Sequence, residues 1–261
     1  MAIHVIPWQA PGFALACFVC LVIGQAYGLA EEHRLLDFPV AVATSSTPDV
    51  FPKSWQGAPI SATGEILAES EFERVRRILK HAMSKYPNDI LNQHLKLVFV
   101  LSELKYSGVT TSGTNSTANV YLKIGNVQHG FTDEWIERVF HAELSSILWR
   151  NLGLDDKAWC QHNPPDFQYL GSGVDAIKQK KHSVRFDQQL HEQGFLAEYS
   201  KSTLENDFNA IAASLFVGDK RLWDLSKEFP RLRGKLELTI AFYSELDPTW
   251  TEAKFRSLVP L

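Results

Sequence analysis

Cysteine is scarce in this chain of 261 residues, which has three: Cys17, Cys20 and Cys160. The first two lie in the amino-terminal segment described below, so the remainder has one thiol and cannot form an internal disulfide. Charge of one sign is not in excess either. The 26 basic and 30 acidic residues give a net charge of −4, which excludes a strongly basic protein built to hold nucleic acid. We find no internal repeat, glycine-rich phosphate loop or nucleophile elbow in the sequence.

Charge is absent from the first thirty residues, and Glu31 is the first ionisable acid. Residues 13–24 form an apolar run that is short for a membrane span. Small residues at Gly28 and Ala30 precede a cleavage point before Glu31. The pattern predicts that residues 1–30 are a signal peptide, cleaved after Ala30, and that the mature chain is exported to the periplasm or secreted.

Two alternatives for this segment stay open. If the apolar run extends through Ala30, the segment is an uncleaved anchor and gives the chain its sole attachment to a membrane. Cys17 follows Ala14, Leu15 and Ala16, a pattern similar to a lipoprotein cleavage site, although the apolar run before it is very short.

The mature chain divides into a lead-in and one domain. Residues 31–64 are rich in Pro, Ser, Thr, Ala and Gly and have no helical or strand period, which predicts an extended lead-in that lies on the domain or is loose in solvent. Residues 65–261 are predicted to be a single domain.

Helices and a small sheet are predicted within this domain. Two β-like runs, 95–106 and 119–125, are separated by a turn-rich stretch and are expected to form an antiparallel pair. Residues 154–172 are expected to be a loop. The order of helix, small sheet and further helices predicts an α+β fold with a small antiparallel sheet packed with several helices. The helices are expected at 66–86, at 132–152 with Thr132 as N-cap and Gly153 after its end, from a capping box at Ser202–Glu205 to about Val217, and at 232–246.

The longest predicted helix carries His141 and Glu143 at its middle. The H-E-x-x-H helix of zinc peptidases holds Zn²⁺ with two imidazoles at i and i+4, and its Glu activates a metal-bound water. In the register that starts at His141, Ala142 and Ser145 replace the Glu and the second His. In the register that starts at Ala142, Glu143 is in place, but Ala142 and Ser146 replace both histidines.

Two segments resemble a known family. They are F-T-D-E-W-I-E-R-V-F-H-A-E-L-S-S-I-L-W-R-N and the later G-F-L-A-E-Y-S-K-S-T-L-E-N-D-F-N. Together they are similar to bacterial exported zinc metallopeptidases of the zincin type, over about residues 130–217. In that family a His-Glu helix is followed by a second helix, introduced by a Phe-x-x-x-Tyr segment and an acidic E-x-D-F-like start, that supplies the third metal ligand. The matching residues here are Phe195, Tyr199, Glu205, Asp207 and Phe208.

The resemblance implies a zincin-like fold and a site with defined roles. Glu143 would be the general base and Tyr199 a hydrogen-bond donor to a developing oxyanion. His141, with Glu205 or Asp207, would bind zinc. A peptide or protein would be the substrate, and His141 and Glu143 are expected to approach Glu205 or Asp207 in space.

Other interpretations remain open beside this one. One alternative is an active, exported metallopeptidase-like protein. Because both motifs are incomplete, a degenerate, non-catalytic binding or envelope-associated protein on the same scaffold is a second alternative. A helical secreted domain unrelated to peptidases is a third alternative. Each of these residues also has a purely structural explanation. His141 and Glu143 can form hydrogen bonds to neighbours on a buried helix. Glu205 belongs to the capping box, and Asp207 lies in the first turn, where the helix dipole favours an acidic side chain.

Overall fold

The computed structural model describes residues 34–46 and 48–260. These residues form seven β-strands and ten α-helices. The strands are β1 (Arg34–Leu36), β2 (Ala41–Ala43), β3 (Thr63–Ile66), β4 (Leu97–Tyr106), β5 (Val109–Thr110), β6 (Gly113–Asn115) and β7 (Asn119–Lys123). The helices are α1 (Phe72–Met83), α2 (Asn88–His94), α3 (Asp133–Leu152), α4 (Asp156–Cys160), α5 (Gly173–Lys178), α6 (Gln188–His191), α7 (Leu204–Phe216), α8 (Lys220–Glu228), α9 (Pro230–Leu246) and α10 (Glu252–Arg256). The predicted α+β class is confirmed.

The strands form one mixed sheet with the order β1-β2-β4-β7-β6, and β3 and β5 pair with the farther part of β4. The expected antiparallel pairing of the two β-like runs is wrong, because β4 and β7 are parallel, with Leu97 opposite Asn119 and Leu101 opposite Lys123. The intervening chain explains this. It forms β5, which runs back along β4, and β6, which is antiparallel to β7, so the chain reverses direction twice.

The lead-in contributes strands to this sheet. β2 pairs in parallel with the start of β4, and β1 pairs with β2. Val50, Phe51 and Ala62 are buried against one face of the sheet. The sequence of the lead-in shows no strand period, because β1 and β2 are only three residues long. A strand of that length is too short for the alternation of apolar and polar side chains to be recognised.

Helices cover the opposite face of the sheet. Because successive side chains of a strand point to opposite faces, Val98 and Val100 of β4 pack in the helical core, whereas Phe99 and Leu101 pack against the lead-in. α3 lies on the helical side and packs along α7. This pairing of α3 with α7 beside β6 positions the candidate site.

The α3 helix forms where the sequence predicts it. The Thr132 hydroxyl accepts a hydrogen bond from the Trp135 amide at 3.1 Å, which is an N-cap, and Gly153 after the helix has a φ of +81°. The apolar side of α3 predicts deep burial of Trp135 and Phe140; Phe140 is 0% exposed, whereas Trp135 is only partly buried. The other buried apolar residues of α3 are Ile136, Val139, Leu144, Ile147 and Leu148.

Several boundaries differ from the sequence predictions. The first helix begins at Phe72 rather than at residue 66, because Ile66 ends β3. The predicted loop at 154–172 contains α4, whose N-cap Asp155 accepts hydrogen bonds from two backbone amides. At α7 the N-cap is Thr203, bonded to the Asn206 amide, so the capping box expected from Ser202 is not formed.

Within the part of the chain that the structure describes, no helix is long and apolar enough to cross a membrane. The predicted signal peptide, residues 1–30, lies outside the described residues.

Candidate functional site

A cleft of about 300 Å³ lies between β6, α3 and the start of α7. Strand β6 forms one wall and the two helices form the floor. Residues 171–177, which include the start of α5, close the cleft from the other side. Glu143, Tyr199 and Glu205 all line it. The structure therefore brings three of the residues singled out from the sequence into one cavity.

Glu143 is held at the junction of helix and strand. The side-chain amide of Asn115 on β6 donates a hydrogen bond to Glu143 Oε2. Two residues earlier on the same face of β6, Gly113 leaves space for this carboxylate: a Cβ at that position would lie 2.7 Å from Glu143 Oε1. A larger residue at 113 would push the strand and helix apart, so the glycine allows Asn115 to reach Glu143.

Asn115 also connects Glu143 to a second carboxylate. Its side-chain oxygen accepts a hydrogen bond from Arg150, whose guanidinium also donates to the Ser116 carbonyl at 3.1 Å. Arg150 Nη1 lies 2.6 Å from Glu205 Oε1. The four side chains form a continuous polar chain across the cleft, from Glu143 through Asn115 and Arg150 to Glu205.

Burial, together with the neighbouring charges, sets the ionisation of Glu143 and Tyr199. Burial raises the pKa of Glu143 to about 7, and the negative charge of Glu205 acts in the same direction, whereas the Asn115 hydrogen bond and Arg150 oppose them. Burial also raises the pKa of Tyr199 to about 12, with the two carboxylates adding to it. Glu143 therefore exchanges a proton near neutral pH, and Tyr199 keeps its proton as a hydrogen-bond donor.

The positions flanking Glu143 carry no metal-binding side chains. Ala142 precedes it, and Ser146, one turn later, accepts a hydrogen bond from Asn209 Nδ2 of α7 at 2.6 Å. In an H-E-x-x-H helix read from residue 142, both positions would carry imidazoles. A methyl group cannot bind zinc, and a neutral hydroxyl is a poor substitute for imidazole or thiolate.

His141 lies on the other side of α3, away from the cleft. Its Nδ1 is 2.8 Å from the Tyr86 hydroxyl and its Nε2 is 3.3 Å from Glu137. The ring stacks on Phe216 with centroids 5.1 Å apart and is fully buried. Burial lowers the pKa of His141 to about 4, so the ring is neutral at physiological pH. Both ring nitrogens are engaged within the core.

Asp207 is also part of the core. Its carboxylate forms an ion pair with Lys235 at 2.6 Å, and both side chains are almost completely buried. The Trp159 indole and the Tyr169 hydroxyl donate to the same oxygen at 3.0 and 2.8 Å. This residue ties α7 to α4 and α9 and faces away from Glu205, which is in the cleft.

The expected convergence is therefore partial. Glu143 approaches Glu205, as expected, but His141 and Asp207 do not join them, because 100° per residue turns both side chains to other faces of their helices. Among the described residues, no group of three His, Cys, Asp or Glu side chains is arranged to hold a metal ion. The residues of the cleft do not fit zinc, and the catalytic roles of Glu143 and Tyr199 stay predictions.

Sequence reasoning missed Asn115, Arg150 and Asn209. Arg150 follows Glu143 by seven residues, nearly two helical turns, so a search of the Glu143 face of α3 would have found it. Asn115 begins the Asn-Ser-Thr sequence in the turn-rich stretch and carries no local signal, because its partner is a helix far along the chain.

Comparisons with known proteins return little. No family model and no curated protein matches this chain. One solved structure that is similar is that of "a putative zinc-binding metallo-peptidase" from Bacteroides caccae ATCC 43185, with 15% sequence identity and a TM-score of 0.49. The match covers 72% of this chain and 74% of that one. A likeness of this degree assigns neither a family nor an activity to the chain.

Proposed function

We propose that this chain is an exported, metallopeptidase-like protein whose cleft binds a peptide or protein segment without zinc-dependent hydrolysis. One observation carries the proposal. Glu143 occupies the position of the motif glutamate beside an edge strand, while Ala142 and Ser146 flank it and Asn115 of the strand holds its carboxylate. The residue pattern retains the surroundings of a peptide site and replaces the groups that would bind the metal.

The edge of β6 supports peptide binding. At the two ends of the β6–β7 pair, the Lys123 amide donates a hydrogen bond to the Ser112 carbonyl, and the Ser116 amide donates one to the Asn119 carbonyl, each at 2.9 Å. In an antiparallel pair the bonding residues alternate, so the backbone groups of Gly113 and Asn115 point away from β7. Gly113 O accepts a hydrogen bond from the Thr111 hydroxyl at 2.7 Å. Asn115 therefore offers an N–H and a C=O to an added strand.

An extended peptide can use such an edge by β-augmentation, in which main-chain hydrogen bonds give affinity and side-chain pockets give selectivity. The proton of Glu143 and the hydroxyl of Tyr199 can then bind carbonyl oxygens of the ligand. Arg150 is held by Glu205 and Asn115, so its charge is largely neutralised inside the cleft. We expect ligands without a requirement for a particular charge.

A matched pair of variants at one residue tests this proposal. The probe is a fluorescein-labelled digest of denatured casein, followed by fluorescence anisotropy. Asn115→Ala removes the side chain but keeps the backbone N–H, whereas Asn115→Pro removes the side chain and the N–H. We expect Asn115→Pro to weaken binding about tenfold relative to Asn115→Ala, in keeping with the loss of one main-chain hydrogen bond.

Folding and hydrolysis are followed in the same samples. Circular dichroism and the thermal midpoint establish that both variants are folded. Equal affinity of two folded variants, or no binding of the probe by the wild-type chain, contradicts binding along β6. Cleavage of the probe that is abolished by a zinc chelator and restored by zinc instead favours an active metallopeptidase.

A further inference from the structure

A wider groove, of about 750 Å³, lies next to the cleft, beyond the start of β6. Ser112 lines this groove, whereas the next residue, Gly113, lines the cleft. On α3 the groove is lined by Trp135 and Arg138, and the cleft is lined from Glu143 onwards. The five residues from Arg138 to Glu143 span about 7.5 Å of helix, the length of about two residues of extended chain. A peptide bound along β6 therefore enters the groove a few residues past Glu143.

The course of β6 beside α3 shows at which end of the strand the groove lies. A Cβ at Gly113 would meet Val139 and Glu143. Asn115, further along β6, bonds Glu143 and Arg150. The strand thus advances along the helix in the same direction, so the first turns of α3 and the groove lie at the start of β6.

Positive charge is in excess at the groove. Arg138 and Arg221 share one carboxylate, that of Asp219, at 2.8 and 2.7 Å. Glu134 also lines the groove, but its side chain is 69% exposed and lies 3.7 Å from Arg138. Arg185 is exposed, and its side chain has no hydrogen bond or ion pair within the part of the chain that the structure describes. Three guanidinium groups therefore meet two carboxylates here, although the whole chain has a net charge of −4.

Aromatic side chains lie beside these guanidinium groups. Phe131, Trp135 and Phe186 line the groove, and each is half-buried. The Arg221 guanidinium lies over the Phe186 ring, 4.5 Å from its centroid, a contact that holds the charge in place. Arginine and aromatic residues are enriched where binding energy is concentrated, and ligand sites have volumes of about 300–1,000 Å³. The residues of the groove and its size both fit a binding site.

We propose that this groove binds a carboxylate of the peptide ligand, on the part of the peptide that extends past the start of β6. The carboxylate pairs with Arg185 and with Arg221, which stacks on the neighbouring Phe186. This inference rests on the proposed binding of a peptide along β6. The cleft itself sets no charge requirement, because Arg150 is already paired there. The preference for negative charge arises in the groove beyond it.

The carboxylate has two sources. A free carboxyl terminus reaches the groove if the peptide runs antiparallel to β6, because the groove lies where the strand starts. An Asp or Glu side chain reaches it whichever way the peptide runs. A free amino terminus would instead be repelled by the arginines.

Three forms of a tryptic digest of dephosphorylated casein, each labelled with fluorescein after preparation, test the site by fluorescence anisotropy. The first is untreated. The second is amidated with carbodiimide and methylamine after digestion, which neutralises every carboxylate. The third comes from casein that is amidated before digestion, so that only the new carboxyl termini are charged.

We expect the fully amidated digest to bind the wild-type chain about tenfold more weakly than the untreated digest, in keeping with the loss of a charge-assisted pair. Amidation makes the peptides more positive, so a non-specific effect of the protein's net charge of −4 would act in the opposite direction. The third form separates the sources. Affinity equal to that of the untreated digest indicates the carboxyl terminus, and affinity equal to that of the fully amidated digest indicates a side chain.

Arg185→Gln is the matched variant of the protein. Its side chain has no partner among the described residues, so the thermal midpoint should not change. We expect it to weaken binding of the untreated digest about fivefold and to leave binding of the fully amidated digest unchanged. Lys53→Gln removes one positive charge at an exposed position of the lead-in, on the other face of the sheet, and should change neither.

The proposal is overturned if the fully amidated digest binds the wild-type chain as tightly as the untreated digest, or if Arg185→Gln behaves as Lys53→Gln does. Failure of the proposed function is recognised separately. If amidation has no effect and Asn115→Pro still binds more weakly than Asn115→Ala, peptide binding along β6 stands and the carboxylate site is wrong. If amidation weakens binding and the two Asn115 variants bind alike, the groove binds carboxylates and binding along β6 is wrong.

Discussion

Ser146 on α3 and Asn209 on α7 are joined by a 2.6 Å hydrogen bond, which the asparagine donates to the serine hydroxyl. A zincin helix read from residue 142 would carry its second zinc-binding histidine at position 146. Here that position links two helices through neutral side chains. This hydrogen bond joins α3 to α7 without a metal ion, and Glu143 interacts with Asn115 of the edge strand β6.

Glu143→Gln should stabilise the protein increasingly as pH rises. The pKa of Glu143 is about 7 in the folded chain and near 4.5 in its ordinary state. The folded state therefore binds the extra proton, and the wild type loses stability between pH 4.5 and 7 because unfolding releases it. A neutral amide avoids this loss of up to about 3 kcal/mol. Urea unfolding of both proteins at pH 5 and pH 8 measures the difference, and Glu65→Gln at an exposed position of β3 is the matched control. A difference that does not change with pH contradicts the buried state of this carboxyl.

His141→Phe should remove part of the acid sensitivity of the fold. The pKa of His141 falls from 6.5 to about 4 on folding because the ring is buried. The unfolded chain binds the additional proton below pH 6.5, so stability declines as pH falls from 6.5 towards 4. We expect the decline to be shallower in His141→Phe, although the variant is less stable at pH 7 because Tyr86 loses its partner. The free energy of unfolding between pH 4.5 and 7 tests this, with exposed His129→Phe as control. Parallel curves for His141→Phe and wild type would show that His141 is not the buried neutral group.

Lys235→Met should cost about 3–5 kcal/mol of stability, because it leaves the Asp207 carboxylate buried without its cation. The double variant Asp207→Asn with Lys235→Met should be more stable than Lys235→Met alone, since the uncompensated charge is gone. Urea denaturation of the two single variants and the double variant gives the coupling. An additive cycle would mean that Asp207 and Lys235 do not act as a pair, and would reopen a role for Asp207 elsewhere.

The mature protein should begin at Glu31 and be found outside the cytoplasm. This follows from the uncharged residues 1–30 and from the small residues before the cleavage point. Amino-terminal sequencing of the protein from a cell fractionation measures it. Ala30→Phe should block cleavage, and Ala68→Phe, at an exposed position beyond the cleavage site, should not. Full-length wild-type chain that is soluble in the cytoplasm would contradict export.

Local signals predicted the parts of the fold that local chemistry determines. Thr132 caps α3, Gly153 ends it, and the apolar residues of α3 are buried as predicted except for Trp135, which is partly buried. The sequence did not predict that β4 and β7 are parallel, because β5 and β6 are two and three residues long and carry no period. The pairing of strands in a sheet is decided by tertiary contacts, and strands this short carry no sequence pattern that indicates their partners.

The sequence predicted only part of the candidate site, because contacts between residues far apart in sequence decide the rest. Helical periodicity places Glu143 and His141 about 200° apart, so only one of them can face a given cleft. The choice between them depends on Asn115, Gly113 and Tyr86, which lie far away in sequence. Glu205 was given a local role in a capping box, yet its side chain reaches Arg150 on another helix.

Zinc content is the most direct measure of the central claim, which is our proposal that the cleft does not bind zinc. The mature chain is purified, dialysed against buffer with equimolar zinc and then against buffer alone, and analysed by mass spectrometry for zinc per protein. We predict far less than one equivalent, with the same result for Glu205→Gln. One equivalent of zinc in the wild-type chain that is lost in Glu143→Ala or Glu205→Gln would contradict it.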